Sequence, residues 1–122
     1  MIDDSAFSGT ERKFLVEINS PGFDIGRDEF EVVLTRGTIQ RVFHKSDMIR
    51  ETYTVVEDGV EVEKTNFYLC FDTQDFGNGI IVATVVAHVP DADFADGIRD
   101  EVDEFDLLLV KNVKYKKPQW GA

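Results

Sequence analysis

The chain is expected to fold as an all-β sandwich of about seven to eight antiparallel strands. Three observations carry that expectation. Short segments of alternating apolar and polar residues recur at roughly ten- to fifteen-residue spacing, with turn residues between them. No stretch shows a sustained amphipathic helical period. Ten Phe stand against three Tyr and one Trp, a composition that suits strands and sheet cores.

In chain order, residues 1–11 are small and polar and read as a flexible N-terminus. Residues 12–115 read as the single β-sandwich domain and 116–122 as a basic C-terminal tail. Lys13 to Ile18 alternates, with Phe14, Val16 and Ile18 on one face, and Asn19-Ser20-Pro21-Gly22 stops it with turn chemistry. Glu29 to Thr35 repeats the pattern with Phe30, Val32 and Leu34 inward. Thr38 to Lys45 has a blurred pattern, because Val42 and Phe43 are adjacent, and reads as an edge strand or a bulged one. Asp58-Gly59 between Arg50–Glu57 and Val60–Lys64 is a hairpin signal, since both central residues of a type I′ turn need positive φ. The hairpin is rich in Thr, Val and Glu and is expected to project into solvent.

Asn66 to Thr73 is the next expected strand, with Phe67, Leu69 and Phe71 on one face and Tyr68, Cys70 and Asp72 on the other. Ile80 to Val89 is apolar on both faces, as in a central strand or one whose outer face meets a partner. Pro90 to Asp103 reads as an acidic loop, and Glu104 to Val110 as the last strand, with Phe105, Leu107 and Leu109 alternating.

The formal net charge is −11 and is unevenly placed. Residues 1–110 hold 9 Lys/Arg against 24 Asp/Glu, a net of −15, while Lys111, Lys114, Lys116 and Lys117 stand in a stretch without acids. An acidic body repels phosphate backbones and anionic headgroups, which argues against nucleic acid or membrane as the main partner. The basic tail has the charge to meet an acidic neighbour, another copy included. The first residues lack the basic and apolar regions of a signal peptide, and no stretch has the length of a membrane span. A chain made in the cytoplasm, and able to be built into a particle afterwards, is the expectation.

Catalytic constellations are not apparent. No G-x-S-x-G, H-E-x-x-H, phosphate-binding Gly loop or C-x-x-C occurs, and no cofactor is expected. His88 reads as a satisfied core or rim histidine and His44 as a surface one. Cys70, between Leu69 and Phe71, reads as a buried inert thiol. The run from Pro90 to Glu101 is the most distinctive. Asp91, Asp93 and Asp96 resemble the start of a calcium loop, because hard cations want several carboxylate oxygens on a tight turn. Ala95 and Asp96 fall where an EF-hand needs a ligand and a glycine, so the plainer reading is a solvated connection in which an aspartate caps a turn and Arg99 pairs with a carboxylate. Phe94 is the only aromatic side chain in that loop, placed to anchor it or to meet a partner.

Several phrases also carry a resemblance: Phe23-Asp24-Ile25 followed by Phe30-Glu31-Val32-Val33-Leu34, Phe67-Tyr68-Leu69-Cys70-Phe71-Asp72-Thr73, Gly77-Asn78-Gly79-Ile80, Val89-Pro90-Asp91 and Gly97-Ile98-Arg99. The pattern resembles small β-sandwich structural proteins of prophage-like regions in gut bacteria. It is similar also to the immunoglobulin-like N-terminal domain of phage baseplate upper proteins. The resemblance implies an immunoglobulin-like sandwich with a virion structural or assembly role and no active site. The expected function is therefore a non-enzymatic, phage-derived structural module acting through protein–protein contacts, with Val82, Val86 and Phe94 as contact residues. Its expected partners are other structural proteins or further copies of itself in a homo-oligomer, and its final location the virion. The alternative is a ligand- or calcium-binding sandwich that uses the 90–101 loop.

Overall fold

The structure, a computed structural model, describes residues 4–114, so the expected basic tail at 116–122 lies outside the described residues. Strands β1 (Ser5–Ser8), β3 (Phe30–Arg36), β4 (Ile39–His44), β7 (Gly79–Pro90) and β8 (Ile98–Lys114) form one sheet in the order β1-β8-β7-β3-β4. Strands β2 (Glu11–Leu15), β5 (Ile49–Glu57) and β6 (Val60–Asp72) form a second, in the order β2-β6-β5. The fold is all-β, and the two sheets pack as a β-sandwich. Every pairing is antiparallel except β1 with β8, which is parallel.

Period-two alternation places the core. Phe30, Val32 and Leu34 of β3 point inward and are buried, as do Ile81, Ala83, Ala87 and Val89 of β7. From the other sheet Phe67, Leu69 and Phe71 meet them. The rings form two groups of contacts in the core, one of which joins the two sheets. Phe30 meets Phe67 edge-on, with centroids 5.5 Å apart at 81°, and Phe71 meets Phe76 with the same spacing and angle. Phe23 extends the first pair and Phe14 stacks on Phe71. Such offset and edge-on pairs add about 0.5–1.5 kcal/mol beyond the area they bury.

Several sequence expectations hold in detail. Asp58 (φ 51°) and Gly59 (φ 77°) occupy the two positive-φ positions of the β5–β6 turn. The outer part of that hairpin is exposed, with Val56 and Val60 uncovered, so it does project into solvent. β4 is the edge strand of its sheet and pairs with β3 without a bulge. β7 is central, flanked by β3 and β8.

Four expectations are corrected. The N-terminus is not free over 1–11: β1 begins at Ser5, Ala6 is buried in the core, and Thr73 fastens the turn that follows. The fully buried Thr73 hydroxyl accepts the Gly9 and Thr10 backbone N–H groups at 3.0 Å each and donates to the Phe7 carbonyl at 3.3 Å. Val60–Lys64 and Asn66–Asp72 are one continuous strand, because Lys64 and Thr65 keep pairing with β5. The acidic loop shrinks to 91–97, because β8 already begins at Ile98 and pairs with Pro90. Finally, β8 carries a bulge: Ile81 pairs with Leu108 but Val82 with Asp106, leaving Leu107 as the extra residue. One extra residue reverses the phase, so Leu108 and Val110 are the buried positions while Leu109 is exposed.

Two stability experiments follow. Phe30→Ala opens a cavity at the centre of the ring contacts and should cost about 3–5 kcal/mol in denaturant unfolding, while Phe30→Leu should cost distinctly less. Thr73→Val keeps the shape but strands the Gly9 and Thr10 donors; a loss of about 1–3 kcal/mol is expected, with faster amide exchange over β1.

Candidate functional site

The outer face of the five-stranded sheet is where uncovered apolar groups and titratable groups coincide. Residues between the buried positions of β3 and β7 must face outward, so Glu31, Val33, Thr35, Val82, Thr84, Val86 and His88 share that face. Register then aligns rows across four strands. One row runs His44, Glu31, Val86, Val102; the next runs Val42, Val33, Thr84, Glu104. Val42 is 49% exposed and Val102 61%, and Val82 and Val86 are half-buried between them. Two of the contact residues expected from sequence, Val82 and Val86, thus lie together on a flat face of β-branched side chains. Phe94, the third, does not join them. It is 48% exposed at the tip of the β7–β8 connection, and Val82 lies eight strand residues before Pro90, about 27 Å away along the sheet.

A hydrogen-bonded cluster crosses one end of this face. His88 Nδ1 lies 2.7 Å from Asp100 Oδ1 and its Nε2 lies 3.2 Å from Glu31 Oε2. The same Glu31 oxygen is 3.8 Å from His44 Nδ1. Both histidines of the chain therefore meet on one carboxylate. The Asp100 bond, seconded by Glu31, holds the His88 pKa above its ordinary value of 6.5 despite the opposing effect of partial burial. The rim position expected for His88 holds, as does the exposed position of His44. The carboxylate partners were not legible, because Glu31 and Asp100 are 57 and 12 residues away in sequence.

Both ring nitrogens of His88 are taken by carboxylates, and among the described residues no hydroxyl or thiol is hydrogen-bonded to either. Cys70, expected to be buried, is exposed instead. It lies on the outer face of the three-stranded sheet opposite Lys13, because alternation assigns the core to Leu69 and Phe71 on either side of it.

The acidic connection resolves into a turn without a metal cradle. Asp91 Oδ1 accepts the Asp93 backbone N–H at 3.0 Å, and its Oδ2 is taken by the Arg99 guanidinium. The first of these bonds, with Arg99 behind it, holds the Asp91 carboxyl below the usual carboxylate range. Asp96 accepts the Ile98 N–H at 3.2 Å. Arg99 also reaches Glu101 at 2.8 Å and the Pro21 carbonyl at 3.2 Å, tying two loops together. Asp91 and Asp96 thus serve the turn with their carboxylates, as the plainer sequence reading expects, and Asp93 takes part through its backbone N–H. Among the described residues no group of three or more His, Cys, Asp or Glu side chains is placed to hold a metal ion, so the calcium reading finds no support in the geometry.

Asp28 is a buried carboxylate that no sequence motif marks. Asp28 accepts the Asp24 N–H at 2.8 Å and two bonds from Arg27 at 2.8 and 2.9 Å. The Arg27 bond is the main cause that depresses its pKa. The spacing Asp24-x-x-x-Asp28 with Arg27 was the only available signal.

No helix among the described residues is long and apolar enough to cross a membrane. No protein-family model matches the chain, and no curated protein or solved structure matches it either. The class that fold and site define is therefore a β-sandwich with an uncovered, histidine-edged sheet face.

The raised His88 pKa makes a signed prediction. A group whose pKa is raised on folding contributes fully below its unfolded value and loses that contribution as pH climbs through the folded value. Wild type should therefore lose thermal stability relative to His88→Gln as pH rises from about 6 to about 8. A difference in melting temperature that stays constant across that range would refute the assignment.

Proposed function

We propose that this protein is a non-enzymatic structural or assembly module that works by protein–protein contact through the outer face of its five-stranded sheet. One observation carries the reading: Val33, Val42, Val82, Val86 and Val102 lie on four adjacent strands of an uncovered sheet face. A flat patch of β-branched side chains with a charged margin has the anatomy of an interface, apolar at its centre and polar at its rim. The projecting β5–β6 ribbon, with Tyr53, Val56 and Val60 exposed, adds a second element suited to gripping a neighbour.

The finer reading is an immunoglobulin-like module of a phage particle, a baseplate, tail or other virion component. Strand order supports the first part. With β2, β6 and β5 in the places of strands B, E and D, and β8, β7, β3 and β4 in those of G, F, C and C′, the arrangement follows the immunoglobulin plan. A single cysteine rules out the inter-sheet disulfide of antibody domains, and the Phe30–Phe67 contact bridges the sheets in its stead. The phage assignment rests on the sequence phrases that resemble such proteins and on the lack of catalytic grouping. Partners are accordingly neighbouring structural proteins or further copies of this chain.

Sedimentation velocity in about 1 M salt, where surface charge is screened, isolates the apolar face. Wild type should associate as concentration rises, and the Val82→Glu/Val86→Glu variant should remain monomeric while melting within a few degrees of wild type. A wild type that stays monomeric at about 1 mM, well above the dissociation constants of specific contacts, would sink self-association through this face.

A further inference from the structure

Strand β8 has two edges, and the rest of the sheet uses only part of them. β7 pairs with one edge from Ile98 to Val110. On the other edge β1 pairs with Leu109, Val110, Lys111 and Lys114. From Ile98 to Leu108 no described backbone group bonds to that second edge. Its outward N–H and C=O groups form a ready template for an added strand.

A groove lies beside this open edge. It separates β8 from the segment Glu17–Ser20 and encloses about 390 Å³. Val85, Ala87 and Phe105 line it, and a smaller apolar recess continues past Phe105 to Leu107 and Phe14. The margin is acidic, with Glu17 on one side and Glu101 and Asp103 on the other. Asp100, Glu104 and Asp106 add to the same stretch of strand. Acidic side chains guard an open edge against indiscriminate pairing, and the same charges favour a basic strand over other strands.

The chain contains one segment with the complementary character. Lys111, Lys114, Lys116 and Lys117 stand with no acid nearby, against a net of −15 over residues 1–110. Tyr115 and Trp120 bring rings that suit an apolar groove. By chain length alone, Lys117 cannot reach the Glu101 and Asp103 carboxylates of its own molecule. Lys117 is three residues beyond Lys114, about 10 Å of extended chain, whereas Glu104 lies ten residues back along the strand, about 33 Å away.

We infer that the basic segment 115–120 of one copy adds as a strand to the open edge of β8 in a second copy. In an extended strand Lys116 and Trp120 share one face, turned to the groove lined by Val85 and Phe105 and its Glu101 and Asp103 carboxylates, while Lys117 takes the other face, toward Glu104. The two surfaces differ, so the contact is head-to-tail and propagates into a ring or a filament according to the rotation between copies. It does not involve the Val82 and Val86 face and stands or falls independently of it.

A charge-swap experiment on the full chain tests this at about 50 mM salt, where the Debye length exceeds 10 Å. Sedimentation of wild type should show association that rises with concentration. Lys116→Glu/Lys117→Glu and Glu101→Lys/Asp103→Lys should each weaken it by about tenfold or more, because each leaves like charges facing. Mixing the two variants should restore assembly, since every tail then finds an edge of opposite charge. Val82→Glu/Val86→Glu should leave this association in place. Circular dichroism confirms that each variant is folded. A monomeric wild type at about 1 mM, variants that associate as wild type does, or a mixture that fails to assemble would each overturn the proposal.

Discussion

The edge-on contact of Phe30 with Phe67 is the constraint on which the rest of the molecule depends. It joins β3, an interior strand of the five-stranded sheet, to β6, in the middle of the three-stranded one. Once that face of each strand is committed inward, the two-residue period leaves no freedom for the other face. Glu31 and Val33 must point out because Phe30, Val32 and Leu34 point in. Cys70 must be exposed because Leu69 and Phe71 are not. Packing in the core thereby sets the composition of the exterior, and the uncovered valine face is the reverse side of the phenylalanine layer.

Polar groups then settle what the strands alone leave loose. Thr73 is fully buried and closes the turn after β1, which brings that short strand against β8. Arg99 links the Asp91 turn to Pro21, so the loops at one end of the sandwich support one another. The His88, Glu31 and Asp100 bonds clamp three neighbouring strands on the outer face. None of these interactions rivals the core in energy. They decide where edges and loops lie, and in a sandwich the edges and loops are what neighbours encounter.

Much of this was legible in the residues. The Asp58-Gly59 turn could be placed because few residue pairs accept two positive φ values in succession. The inward faces of β3 and β6 could be placed because Phe, Val and Leu alternate there without interruption. Reading failed where tertiary contact overrode the local pattern. The polar stretch before Glu11 carries no strand signal, and β1 forms there only because β8 offers an edge and Thr73 a fastening. In β8 the residues Phe105, Leu107 and Leu109 alternate well, yet the bulge at Leu107 places Leu108 and Val110 in the core. The carboxylate partners of His88 could not be read at all, because strand order had to be known first.

By itself the sequence determined that this chain is an all-β sandwich with a phenylalanine-rich core, a projecting hairpin, an acidic body and a basic C-terminal stretch. Those properties follow from side-chain volume, alternation and charge, which are local and additive. The tertiary structure alone decided which strands are neighbours. It therefore decided that Val82 and Val86 share a face with Val33, Val42 and Val102, that the two histidines meet on Glu31, and that β8 keeps an open acidic edge beside an apolar groove. The reason is geometric: an interaction surface is made of residues distant in sequence, and only the register of the sheet says which of them touch.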